Sequence, residues 1–193
     1  MCFGGLPFSF AIEKGREDSG MTKKSRIFAK DRILCMTAMD KDQLYQQLTA
    51  QARSLVDGVD NVVGALGNVA ALLKEELPYY FWVGFYVVKD GHLQLGPFQG
   101  PVACYSIEKG RGVCGTAWDK AQTLVVPDVH QFPGHIACSS RSNSEIVVPV
   151  IHGGVVVAVI DVDSDDFGAF DEEDKRGLEE IARIVAPLVA TGY

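Results

Sequence analysis

No apolar run in this sequence is long enough to span a membrane. Stretches such as Val155 to Ile160 fall far short of the ~20 residues needed to cross a bilayer. Dense basic tracts are missing too. The net charge is -7, and no basic stripe offsets it, which argues against nucleic acid as a partner. Residues 1–40 hold 7 Lys/Arg against 5 Asp/Glu, leaving 11 against 20 for the rest. The acidic part suits small molecules or cationic groups as partners. Close metal-ligand pairs are also absent. Cys104, Cys114, Cys138, His130 and His135 offer donor atoms, yet there is no CxxC or HxxxH, and structural zinc usually brings its ligands in such pairs. No metal is therefore expected. Finally, the apolar stretch Cys2 to Ile12 has no basic segment before it and no small-residue cleavage site after it. The expectation is a cytoplasmic protein with reduced thiols, where clustered cysteines point to redox chemistry more than to structural disulfides.

What is present reads as one domain. The chain has 193 residues, 47% hydrophobic and 22% charged, which is ordinary for a well-cored globular protein. Residues 1–38 mix Gly, Ser and charge without sustained periodicity. Their basic cluster (Lys23, Lys24, Arg26, Lys30, Arg32) is diluted by Glu13, Glu17, Asp18 and Asp31. They are read as an extension, poorly ordered or targeting, with a catalytic domain over residues 39–193. From Asp40 the apolar spacing turns helical through Leu44, Leu48 and Leu55, with Asp40 or Asp42 as cap. After a break at Asp57–Gly58, a second helix carries Val62, Leu66, Val69, Leu73 and Leu77 up to Pro78. Strands follow at Phe81 to Val88 and Leu93 to Leu95 across Lys89–Asp90–Gly91, then at Cys104 to Ile107. A short helix, Gly112 to Lys120, precedes a strand at Thr123 to Val126. A long loop runs from Asp128 to Asn143. A hairpin then pairs Glu145 to Ile151 with Val155 to Asp163, and an amphipathic helix closes the chain from Asp171 to Ala190. This order predicts an α+β sandwich: a central antiparallel sheet of about six strands, with the N- and C-terminal helices packed on one face.

The second hairpin gathers carboxylates. A two- or three-residue turn at His152–Gly153–Gly154 sets Glu145 opposite Asp161 or Val162. Alternation puts Asp161 and Asp163 on one face, and the register leaves open whether Glu145 shares it. Crowded acids raise one another's pKa, which keeps a carboxyl protonated as an acid. Asp165 and Asp166 read as solvated turn acids. Asp161, Asp163, Asp165 and Glu172 fit calcium-loop spacing, but Asp166 stands where that loop needs glycine and the preceding segment reads as strand. Cys104, Cys114 and Cys138 each lie beside Gly or small residues. A Cys138 thiolate on the long loop could attack an electrophile, become a sulfenic acid and condense with a second thiol.

Six ordered segments carry a resemblance: Trp82-Val-Gly-Phe-Tyr86, Leu95-Gly-Pro-Phe-Gln-Gly100, Gly110-Arg-Gly-Val-Cys-Gly-Thr116, Gly134-His-Ile-Ala-Cys138, Ser142-Asn-Ser-Glu-Ile146 and Ile160-Asp-Val-Asp-Ser164. Together they closely resemble the free methionine-(R)-sulfoxide reductases, GAF-fold enzymes acting on the free amino acid, over residues 41–191. The resemblance implies Cys138 as nucleophile and Cys104 as the main resolving thiol, forming a Cys104–Cys138 disulfide reduced by thioredoxin, with NADPH acting indirectly and no bound cofactor. It leaves the role of Cys114 open. It implies Trp82 and Tyr86 as the pocket for the substrate's S-methyl group, Glu145 and Asp163 on the sulfoxide oxygen, and Asp161 on the α-ammonium. Ser142, Asn143 and nearby backbone N–H groups are candidates for the α-carboxylate. His130 and His135 are read as loop-fixing hydrogen-bonders. A non-catalytic, ligand-binding GAF regulatory module is the alternative, but it has no need of three clustered cysteines. The sequence leaves open whether the protein forms a homodimer.

Overall fold

Period-two patterning gives each strand two working faces. The computed structural model, which describes residues 38–136 and 139–193, arranges such strands into one six-stranded antiparallel sheet. The segment read as an extension falls, up to residue 37, outside the described residues, as does Cys138. The elements are α1 (Ala38–Val56), α2 (Val62–Glu76), β1 (Trp82–Lys89), β2 (His92–Gln99), β3 (Ser106–Glu108), α3 (Gly112–Lys120), β4 (Leu124–Val126), β5 (Ser144–His152), β6 (Val155–Ser164) and α4 (Glu172–Gly192). Strand order is β3-β2-β1-β6-β5-β4. This is the α+β architecture the element order predicts. Among the described residues no helix is long and apolar enough to cross a membrane.

The two faces of the sheet are covered differently. On one face Val83, Phe85 and Val87 of β1, Ile146, Val148 and Val150 of β5, and Ala158, Ile160 and Val162 of β6 meet the apolar sides of α1, α2 and α4 in the larger core. On the other face Trp82, Tyr86, Val147 and Val159 pack with Val113, Cys114 and Ala117 of α3 in a smaller core. α4 starts at a capping box. The Asp171 side chain accepts from the backbone N–H groups of Glu173 and Asp174, and Asp174 returns a bond to the Asp171 N–H. The fully buried Asp174 carboxylate also accepts from Tyr45 Oη (2.8 Å), Tyr79 Oη (2.6 Å) and Lys41 Nζ (2.6 Å), tying α1 to α4. Asp40 and Asp42, expected as caps of the first helix, lie inside α1 instead.

Register is where the sequence reading needs correction. The β5–β6 turn is Gly153–Gly154, both with positive φ (57° and 82°), a tight two-residue hairpin that glycine allows without strain. His152 pairs with Val155 and Ile151 with Val156, but Val150 pairs with Ala158. Val157 is therefore an extra residue on β6, a bulge that moves every later pair by one. Glu145 lies opposite Asp163, and Val147 opposite Asp161, rather than Glu145 opposite Asp161 or Val162.

Candidate active site

The bulge has a chemical consequence. Residues paired across antiparallel strands share a face, so Glu145 stands on the same face as Asp163 and Asp161. β1 extends the rows: Trp82 pairs with Asp163, and Gly84 with Asp161. One row across the sheet reads Trp82, Asp163, Glu145; the next reads Gly84, Asp161, Val147. Gly84 supplies room. A Cβ there would lie 2.4 Å from Phe98 Cβ and 2.6 Å from the Trp82 ring. The space lets Trp82 lie flat between Phe98 (centroids 5.3 Å apart, interplanar 16°) and Tyr86 (6.0 Å, 27°), with its indole N–H donating to the Pro101 carbonyl at 3.0 Å.

Two adjoining cavities meet at Asp161 and Asp163, which line both. One has an aromatic wall of Phe81, Trp82 and Tyr86, completed by Val102, Ala103 and Ser139. The other adds Cys114, His135, Ile136, Ser142 and Glu145 to the carboxylates, with Ile107, Arg111, Gly112 and Val113 on its rim. Glu145 and Asp161 are buried, and burial, reinforced by the neighbouring acids, pushes both well above the usual carboxylate range. Burial raises Asp163 to about 6, against a lowering hydrogen bond from Ser142. Glu145 and Asp161 thus hold their protons at neutral pH, Asp163 is largely ionised there, and the three titrate as a group. Asp161 Oδ1 is buried with no hydrogen-bond partner among the described residues, a costly state that a bound cation or donor relieves.

The cysteines separate. Cys114 is a buried free thiol whose Sγ donates toward Glu145 Oε1 at 3.8 Å, and burial holds its pKa well above normal. Cys104, half-buried between β2 and β3 and not inside β3 as expected, is disulfide-bonded. Cys138 lies outside the described residues. Cys114, Glu145 and Asp161 place donor atoms within 4.8 Å of one another, a sulfur–oxygen set of a kind that suits zinc. Its members come from three separate elements, so no close spacing in the sequence reveals it.

Of the residues singled out from sequence, Trp82, Tyr86, Cys114, Ser142, Glu145, Asp161 and Asp163 line these cavities. Asn143 does not. Its side-chain amide donates to the Asp165 carbonyl at 2.8 Å, which spends it on holding the loop. His130 also lies away, with its ring against Phe167. His135 is nearer the chemistry than a loop-fixing role implies: its Nε2 is 3.9 Å from Glu145 Oε2, and burial lowers its pKa, keeping it neutral. Phe81 and Phe98 were missed as aromatic neighbours of Trp82. Phe81 is legible as the immediate neighbour of Trp82, whereas Phe98 is not, because the sequence reading ends β2 at Leu95.

Known proteins resemble this chain over most of its length. A family model described as GAF domain matches residues 38–190. GAF domain-containing protein A of Dictyostelium discoideum is 51% identical over 146 residues, covering 75% of this chain and 92% of that protein. Free methionine-R-sulfoxide reductase of Escherichia coli is 44% identical over 156 residues, covering 80% and 94%. The X-ray structure of free methionine-R-sulfoxide reductase from Neisseria meningitidis in complex with its substrate matches with a TM-score of 0.75 at 47% identity, covering 80% of this chain and 93% of that one.

Proposed function

Because the chain belongs to the GAF-domain family of free methionine-R-sulfoxide reductases, we propose that this oxidoreductase reduces free methionine-(R)-sulfoxide to methionine at the two joined cavities. The observation that carries the reading is the single row Trp82, Asp163, Glu145 with Asp161 beside it, which sets an aromatic wall against buried acids whose pKa values burial raises. The aromatic wall takes the S-methyl group. Asp161, whose buried Oδ1 has no partner among the described residues, takes the α-ammonium.

The proposed chemistry runs through the cysteines. The Cys138 thiolate attacks the sulfoxide sulfur while Glu145 or Asp163 protonates the departing oxygen. The oxygen passes to sulfur, leaving methionine and a Cys138 sulfenic acid. The Cys104 thiol then attacks that sulfur, water leaves, and a Cys104–Cys138 disulfide remains. A thioredoxin dithiol, recharged from NADPH, returns both cysteines to thiols by exchange. No bound cofactor is required. Cys114 is the poorer resolver, since its thiol is buried, high in pKa and turned to Glu145. The reducing cytoplasm is the compartment this cycle suits.

The test is NADPH consumption with thioredoxin and thioredoxin reductase on free methionine-(R)-sulfoxide, its S epimer and the N-acetylated R form. Turnover of the free R epimer alone is the expected result. Equal turnover of the N-acetylated form would remove Asp161 from ammonium recognition, and silence on all three with reduced protein would defeat the reductase reading.

A further inference from the structure

One corner of the acid-lined cavity brings sulfur, oxygen and nitrogen donors together from α3, β5, β6 and the loop before them. Cys114 Sγ lies 3.8 Å from Glu145 Oε1, and one donor atom each from Cys114, Glu145 and Asp161 fall within 4.8 Å of one another. His135 lines the same cavity and adds an imidazole, its Nε2 3.9 Å from Glu145 Oε2. Around a tetrahedral zinc ion, with Zn–S about 2.3 Å and Zn–O about 2.1 Å, a sulfur and an oxygen stand about 3.6 Å apart. The Cys114–Glu145 separation is already close to that spacing. Asp161 supplies an independent sign. It is only 7% exposed, and its Oδ1 has no hydrogen-bond partner among the described residues. A buried acceptor left unpaired is costly, and a cation relieves that cost.

We propose that Cys114, Glu145 and Asp161, with His135 as fourth donor, form a binding site for a thiophilic divalent cation, Zn2+ being the ion that fits. Sulfur selects against Mg2+ and Ca2+, which take oxygen ligands. Coordination sends the Cys114 thiol proton and the carboxyl protons to solvent. His135, kept neutral by burial, donates a lone pair. The thiol is available even with Cys104 in a disulfide, since Cys114 is then still free. The consequence for activity rests on the reductase reading. Asp161 cannot hold an α-ammonium and a metal at once, and a Glu145 bound to zinc is no acid. Zinc and substrate therefore exclude each other, which makes the ion a reversible brake on this site and not a cofactor of the reaction.

The experiment titrates Zn2+ into full-length protein carrying the Cys104 disulfide, against a chromophoric chelator and without reductant, so that no sulfoxide turns over. Wild type is compared with C114S and E145Q, with C114A in reserve should a buried hydroxyl disturb folding, and melting curves of the metal-free forms check each fold. Loss of either ligand should weaken the tightest zinc site about a hundredfold or more, since even outer-shell partners are worth about 10–100-fold. Co2+ in place of zinc should give a thiolate-to-metal charge-transfer band that C114S loses at one equivalent of metal. Free methionine-(R)-sulfoxide should raise the apparent Kd for zinc in proportion to its concentration. The S epimer chelates free zinc through the same amino and carboxylate groups, so it is the control and should shift the Kd several-fold less. Equal zinc affinity in folded wild type and C114S would overturn the site. So would a loss in C114S that E145Q does not share, which marks a lone cysteine. A site lost in both variants, yet displaced no better by the R epimer than by the S, would uphold the metal site and count against the substrate reading.

Discussion

At the scale of single residues, Asp163 shows what the site costs the fold. Its carboxyl is raised to about 6 by burial, from an ordinary value of 3.8. Between those values the folded protein binds more protons here than the unfolded chain does, so stability is greatest below pH 3.8 and is lost as pH rises through 6. At neutral pH the shift corresponds to about 3 kcal/mol of destabilisation. Asp163→Asn is therefore expected to stabilise the protein at pH 7 by about 1–3 kcal/mol, to flatten this part of the pH 4–6 slope in urea midpoints, and to impair reduction. A mutant no more stable than wild type at pH 7 would place the strain elsewhere. Glu145 bears on rate. As pH rises the acid group loses its protons, so the single-turnover rate should fall on the alkaline side. Glu145→Gln should lower that rate about a hundredfold or more and remove the limb. An unchanged limb would point to a different proton donor.

At the scale of elements, Asp174 argues that the helical layer hangs on one carboxylate. Lys41 of α1, Tyr45 of α1 and Tyr79 all converge on it, and it closes the capping box of α4. Asp174→Ala leaves a largely buried ammonium and two buried hydroxyls without their acceptor. It should cost about 3–5 kcal/mol in chemical denaturation, and a loss below 1 kcal/mol would show that the network re-forms around water. Elements differ in how legible they were. α2, α3 and α4 announce themselves by apolar spacing and by their caps or breaks. β2 was read as Leu93 to Leu95 but runs from His92 to Gln99, because Gly96 and Pro97 look like breakers. They sit where the pairing with β1 slips between Gly84 and Tyr86, and an irregular site tolerates proline's missing N–H. The carboxylates of β6 were readable from alternation alone. Their partnership with Glu145 was not, because it depends on a bulge at Val157 set among Val and Ala residues that give no local signal. The same limit hid the Cys114–Glu145–Asp161 contact, since only tertiary packing brings α3 over that face.

At the scale of the whole molecule, the sheet divides labour between its faces. One side buries Leu48, Leu66, Leu73, Leu178 and Ile181 under three helices and holds none of the described members of the proposed site. The other carries the aromatic wall, the acids and the loop, with less apolar burial and with charge that burial disfavours. Stability drawn from one face supports strain on the other, and the two should therefore respond differently to truncation. Ile181→Ala removes a fully buried side chain from the helix-covered core and should cost about 2–5 kcal/mol. Well below its lowered melting temperature, its kcat and KM should stay within about twofold of wild type. Trp82→Ala, by contrast, opens the aromatic wall that Gly84 makes room for, and should raise KM for the sulfoxide by tenfold or so through lost stacking and S-methyl contact. Paired melting curves and steady-state kinetics on the two variants read this directly. If Ile181→Ala lost activity while still folded, the faces would be coupled through the strands, and the helical layer would belong to the working site as well as to its support.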